Sequence, residues 1–334
     1  MSKDLPPIYS LQTWTIRHHF SSWKKKFKYD RSGSTHNQNE KVLKHNEKVI
    51  EDNLKILQRI REYGYTGVEV SVKGNMPLEE FLTLVKEADL SCSGIHLPVL
   101  DNLRNEELGS AIVSEATGIL KKTFPERKDW TNCILTFMGN PSYLGEDLNK
   151  YTHAKKYEAR KDAKLKQYEN YAEKLKNAIQ DFNGAFNFGY HVYDYDLSSN
   201  HSFDPRANVS KECLQSILKS GCKLVLDTFY LNRSKGWNWD RVVNEFSENI
   251  IGVHLNDITR NGVQESIGAD AGIENWVKAF QCMGQFPICN NLVIEHDAPV
   301  GKGNEMAQKS AKYLLKEGSP LLDTFYKNQK VSGK

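Results

Sequence analysis

Six side chains in this sequence combine metal-binding or proton-transferring chemistry with a shared kind of position. His96, His191, Asp227, His254 and Glu295 each stand at or beside the end of a short apolar run, in "LSCSGIH", "FNFGYH", "KLVLD", "IIGVHL" and "NLVIEH". Glu69 lies inside a sixth run, "GVEVS". Carboxylates are hard oxygen ligands and imidazole is a borderline nitrogen ligand, a mixture suited to Mn²⁺, Co²⁺, Zn²⁺ or Mg²⁺. Taken singly, any of them reads as an ordinary satisfied group. Several titratable groups buried together are costly without a metal or substrate between them, so the pattern predicts one shared site.

The elements that must carry these residues are legible as a repeat. Strand-like runs cover Ile8 to Thr13, Gly67 to Ser71, Leu90 to His96, Cys133 to Met138, Phe186 to His191, Lys223 to Asp227, Ile250 to Leu255 and Asn291 to His296. Helical patterns return between them, at Val49 to Tyr63, Leu78 to Ala88, Asn105 to Lys122, Ala154 to Gln180, Lys211 to Lys219, Trp239 to Phe246, Ile273 to Met283 and Asn304 to Leu315. Ser210 reads as a helix N-cap and Gly221 as a helix stop. Eight βα units predict an α/β protein of one closed (β/α)₈ TIM barrel, in which the C-terminal strand ends form the reaction face. An open doubly wound sheet would more usually place a glycine-rich fingerprint after the first strand, where this chain has "LQTWTIRHH". The expected organisation is a single domain over residues 1–334 with a basic, polar insertion at about 21–48, after the first strand. That insertion, "WKKKFKYDR" followed by "SGSTHNQNEK", reads as a solvated segment or a basic flap over an anionic ligand. The lysine- and glutamate-rich segment Ala154 to Gln180 reads as a long solvent-facing helix.

Composition narrows the class. Apolar residues make up 39% and charged residues 26% of 334, an ordinary globular balance. No run of 18 apolar residues is present, and the N-terminal stretch has no apolar signal-like core, so no membrane contact and a cytoplasmic location are expected. A formal charge of +3 gives no support to nucleic-acid binding. The six cysteines are scattered singly without zinc-ribbon spacing, which predicts reduced, buried thiols.

Several motifs carry a resemblance. "YSLQTWTIR", "GYTGVEV", "SGIHLP", "FGYHVYDYDL", "LVLDTFYL", "IIGVHLND", "IGADAGIENWVKAF" and "LVIEHDAP" follow in order the motifs of the sugar phosphate isomerase/epimerase group. That group belongs to the xylose isomerase-like TIM barrels, the AP endonuclease 2 superfamily, and the resemblance runs from Ile8 to about Leu315. It implies metal ligation by Asp227, His254 and Glu295, with His191 at about the place where the group's epimerases carry a fourth ligand, a glutamate. The group's downstream glutamate corresponds to Asp196. Those epimerases use two metal-bound glutamates on opposite faces of the sugar, and here Glu295 alone is retained.

The chemistry implied is proton abstraction next to a carbonyl of a sugar, keto-sugar or cyclitol, assisted by a divalent metal ion. Glu295 would act on one face, with His191 or His96 on the other. Arg17, Trp14, Glu69, Asp196, Tyr230 and Trp237 are the expected substrate contacts. A small-molecule sugar or cyclitol is the expected partner, with a homodimer possible. The competing functions are a metal-dependent lyase or hydratase of a keto-sugar or keto-glycoside, a non-catalytic sugar-binding barrel, and phosphodiester cleavage of abasic DNA, which the missing basic track argues against.

Overall fold

In the computed structural model, the described residues are 8–12, 35–71, 76–98, 106–138, 157–182, 184–193, 207–234, 236–272, 274–289, 291–295 and 302–322. Trp14, Arg17 and Asp196 lie outside them, as does the segment 21–34.

The elements alternate as expected. β1 (Ile8–Gln12), α1 (Thr35–Glu62), β2 (Gly67–Ser71), α2 (Leu78–Glu87), β3 (Ser91–Pro98), α3 (Glu106–Thr123), β4 (Trp130–Met138), α4 (Tyr157–Ile179) and β5 (Phe186–His191) make the first part of the chain. α5 (Ala207–Lys219), β6 (Lys223–Asp227), the short α6 (Thr228–Arg233), α7 (Trp239–Phe246) and β7 (Ile250–Leu255) follow. A two-stranded antiparallel ribbon, β8 (Asp257–Ile258) with β9 (Gln264–Glu265), intervenes before α8 (Trp276–Met283), β10 (Asn291–Ile294) and α9 (Gly303–Tyr313).

Eight parallel strands close into a barrel in the order β1-β10-β7-β6-β5-β4-β3-β2. The closing pair is β1 with β10, from Ile8 opposite Asn291 to Leu11 opposite Ile294. Strands such as "KLVLD" and "IIGVHL" are buried almost throughout, because both faces of a parallel sheet are covered. Most of the core lies between strands and helices, while Ile134, Val225 and Ile251 form a small cluster of their own. Gly189 leaves room there: a Cβ on it would sit 2.6 Å from Val225 Cγ2 and 2.9 Å from Ile134 Cγ2.

The structure amends the sequence reading in four places. α1 begins at Thr35, so residues 35–48 of the expected insertion are helix. The segment carries Gln38, Glu40, Lys41, Lys44, Glu47 and Lys48, which favour helix even where few apolar residues mark a face. α4 is less solvent-facing than expected, since Tyr168, Tyr171, Leu175, Ala178 and Ile179 form a buried stripe at helical spacing. α5 starts at Ala207, which puts Ser210 inside the helix rather than at its cap. Finally, β3 runs on to Pro98 and β10 stops at Ile294, which leaves His96 within its strand and Glu295 just past the end of its own.

Candidate metal centre

His191 and Asp227 close β5 and β6, His254 is the penultimate residue of β7, and Glu295 follows β10. In a parallel barrel these four ends share one rim, and their side chains converge. His254 Nδ1 lies 3.1 Å from His191 Nε2 and 2.5 Å from Glu295 Oε2. His191 Nε2 is in turn 3.7 Å from Asp227 Oδ2 and 3.9 Å from Glu295 Oε2. These spacings bracket the roughly 3.4 Å between ligand atoms of a tetrahedral ion with bonds near 2.1 Å. One nitrogen or oxygen donor from each residue thus lies within 4.8 Å of the others, and the donor set fits a divalent ion of the Mn²⁺, Co²⁺, Zn²⁺ or Mg²⁺ class.

Neighbouring groups fix how Asp227 presents itself. Its Oδ1 accepts the Phe229 backbone N–H at 2.8 Å, capping α6, and the Asn256 side-chain N–H at 2.9 Å. Oδ2 is left to face the cluster. Asn256 is itself held from both sides, because its backbone N–H donates to Thr228 Oγ1 at 2.7 Å and its carbonyl accepts from the same hydroxyl at 2.6 Å. The turn after β6 is thereby stitched to the turn after β7.

Protonation follows from burial and crowding. Burial and the charge of Glu295 push Asp227 up to about 7, against the pull of His254, Asn256 and the Phe229 N–H. Burial also opposes charge on Glu295, but His254 beside it holds the carboxyl down to about 2. His191 is driven down to about 3 by burial and by His254, so it is neutral at physiological pH. For His254 burial disfavours the imidazolium, yet Glu69 and Glu295 together hold it well above the ordinary imidazole range. Glu69 and Glu295 thus favour a positive charge at His254, between them.

The remaining expected residues are placed differently. Glu69 and His96 are buried beneath the four ends, with Glu69 Oε2 2.9 Å from His96 Nε2 and 3.0 Å from His254 Nε2. Glu69, expected among the substrate contacts, is thus buried against two histidines. Tyr230 stands edge-on to His191, with ring centroids 6.0 Å apart. Trp237, also expected among the substrate contacts, is buried, with its indole stacked on Phe246 at 5.7 Å and the Arg241 guanidinium 4.1 Å from its ring. Tyr193 was not singled out in the sequence, where it is one of three tyrosines in "YHVYDY". It lies 4.5 Å from the His191 ring and 5.0 Å from Tyr230, making an aromatic wall beside the cluster. Asn256 was equally hidden, since a lone Asn after a strand looks like any turn residue.

No protein-family model matches the chain, and no curated protein matches it. Solved structures do. A sugar phosphate isomerase/epimerase from Parabacteroides distasonis superposes with a TM-score of 0.63 at 15% identity, over 95% of this chain and 97% of that one. The D-allulose 3-epimerase of a Methylomonas species, in complex with D-allulose, gives 0.57 at 12% identity over 95% and 99%. A probable 3-DHS dehydratase from Bacillus anthracis gives 0.54 at 14% identity over 92% and 99%. At such identities the likeness establishes the fold alone, a (β/α)₈ barrel closed like that of these structures. Among the described residues no helix is long and apolar enough to cross a membrane.

Proposed function

We propose that this protein is a divalent-metal-dependent isomerase or epimerase of a sugar, keto-sugar or cyclitol that removes a proton from the carbon next to a carbonyl. The observation that carries this reading is the convergence of His191, Asp227, His254 and Glu295 at one rim of a closed barrel, with Glu295 the most exposed of the four at 18%. A group that accepts a proton from substrate must touch it, and Glu295 has the open position. These four residues would hold the ion, which when bound supplies a Lewis acid to polarise the carbonyl and its neighbouring hydroxyl.

The chain's own residues account for the rest. Glu295 is ionised at neutral pH and receives the proton on its carboxylate oxygen. Its Oε2 lies 2.5 Å from Nδ1 of His254, which keeps the carboxylate beside the other three residues. Tyr193 and Tyr230 give a sugar ring an aromatic surface for its C–H face, beside the ring of His191. Asn256 and the Phe229 N–H keep Asp227 turned inward.

A lyase is the second reading. Among the described residues Glu295 is the one partly exposed carboxylate of the cluster. One base can take a proton and return it to the adjacent carbon, or the same carbanion can expel a β leaving group. Both outcomes need fewer bases than two-face epimerisation.

The test is to reconstitute the protein with Mn²⁺ or Co²⁺ and incubate it in D₂O with a panel of ketoses, inosose and 3-keto-glycosides, followed by NMR. Deuterium incorporation or loss of a leaving group is expected for one of them, dependent on the ion and abolished by Asp227→Ala. A protein that binds the ion and a sugar but exchanges no proton in any panel member is a sugar-binding barrel, and the enzymatic reading falls.

A further inference from the structure

We propose that Glu69 is a positioning residue: its carboxylate takes the Nε2–H of His254 and so presents Nδ1 of that ring to the ligand cluster. This rests on the reading of the cluster as an ion-holding site. The two nitrogens of His254 are divided between two environments. Nδ1 faces His191 Nε2 at 3.1 Å and Glu295 Oε2 at 2.5 Å, whereas Nε2 faces only the interior, 3.0 Å from Glu69 Oε2. A histidine that ligates through one nitrogen usually donates its other N–H to a carboxylate or carbonyl, which sets tautomer and ring orientation. Glu69 is the group in that place.

The barrel is built to hold Glu69 there. β2 and β7 are not neighbours in the strand order, so the side chain must reach across the interior. Gly94 on the adjacent β3 leaves the space it occupies, since a Cβ on that residue would lie 2.8 Å from Glu69 Oε1 and 3.2 Å from its Cγ. A buried carboxylate without N–H partners is strongly disfavoured. Oε2 of Glu69 and Nε2 of His254 are nonetheless both without an aligned hydrogen bond, although they face each other at bonding distance. The His96 ring lies 5.2 Å from that of His254 at 14°, and its Nε2 approaches the same Glu69 oxygen at 2.9 Å. Its burial is what suits Glu69 to this role.

The experiment compares wild type with Glu69→Gln, which keeps the shape and removes the charge. Calorimetric titration with Co²⁺ is expected to show binding weaker by about 10- to 100-fold, with an altered visible spectrum of the bound Co²⁺ and little change in the melting temperature of the ion-free protein. Unchanged Co²⁺ affinity and spectrum would overturn the assignment and leave the metal reading intact. A wild type that binds no divalent ion would overturn both. Should Glu69→Gln fail to fold, wild-type protein labelled with ¹⁵N-histidine and loaded with Zn²⁺ decides the matter by NMR. His254 is expected to be Nε2-protonated and ligated through Nδ1, and the opposite tautomer refutes the proposal.

Discussion

Asp227 and Glu295 are chemically similar groups a few ångströms apart that the fold drives in opposite directions, one up to about 7 and the other down to about 2. The difference has a consequence for stability in protein stripped of ions by a chelator. An unfolded aspartate releases its proton near pH 4, so between about pH 4 and 7 the folded chain still holds a proton at Asp227 that the unfolded chain has lost. Stability from this group therefore falls as pH rises through that window. Asp227→Asn, whose amide oxygen still accepts from Phe229 and Asn256, removes the dependence. The melting temperature of the variant relative to wild type is expected to climb from pH 4 to pH 7, and a flat difference would show that Asp227 ionises normally. For Glu295→Gln the expectation is kinetic. Turnover of an identified substrate should drop by roughly 10²- to 10⁴-fold, with KM changed far less, because the amide keeps an oxygen in place but cannot accept the proton. How much of this was legible depended on position. His96, His191, Asp227, His254 and Glu295 stand out because polar residues at the ends of apolar runs are conspicuous. Glu69 was visible as a residue but its partners were not, since strand alternation says which face a side chain takes and not which rings across the barrel it meets.

At the scale of elements, the site depends on turns more than on strands. The Thr228 hydroxyl both accepts from and donates to the backbone of Asn256, joining the end of β6 to the end of β7. Thr228→Val is nearly isosteric and would strand two buried backbone groups, at about 1–3 kcal/mol each. Urea denaturation should show a loss of that order, and Thr228→Ser should recover most of it. A variant as stable as wild type would mean that water replaces the hydroxyl. None of this could be read from "LVLDTFYLNR", because the partner lies 28 residues away. Element identities were legible for the opposite reason, since helix and strand periods are local. The early start of α1 and the buried stripe of α4 escaped because helix formers without an apolar face look like loop, and tyrosines among lysines look like surface. The β8/β9 ribbon escaped as well, each strand being two residues long.

At the scale of the whole molecule, all eight barrel strands share one closed ring, and long-range contacts reinforce it. Tyr65, in the turn before β2, donates its hydroxyl to the Ala307 carbonyl of α9 at 2.8 Å, across 242 residues. Unfolding followed by far-ultraviolet circular dichroism and by tryptophan fluorescence should therefore give coincident transitions. Separated midpoints would mean that part of the ring melts alone. The pairing of β1 with β10 also bears on how the chain is made. On the ribosome β1 emerges early and can pair with β2, but its other edge has no partner until β10 follows nearly the whole sequence later. Such an edge invites pairing with other chains, and non-local closure is slow. Nascent chains stalled before Asn291 should accordingly stay open to protease and engage chaperones, and resistance should appear only once β10 has left the exit tunnel.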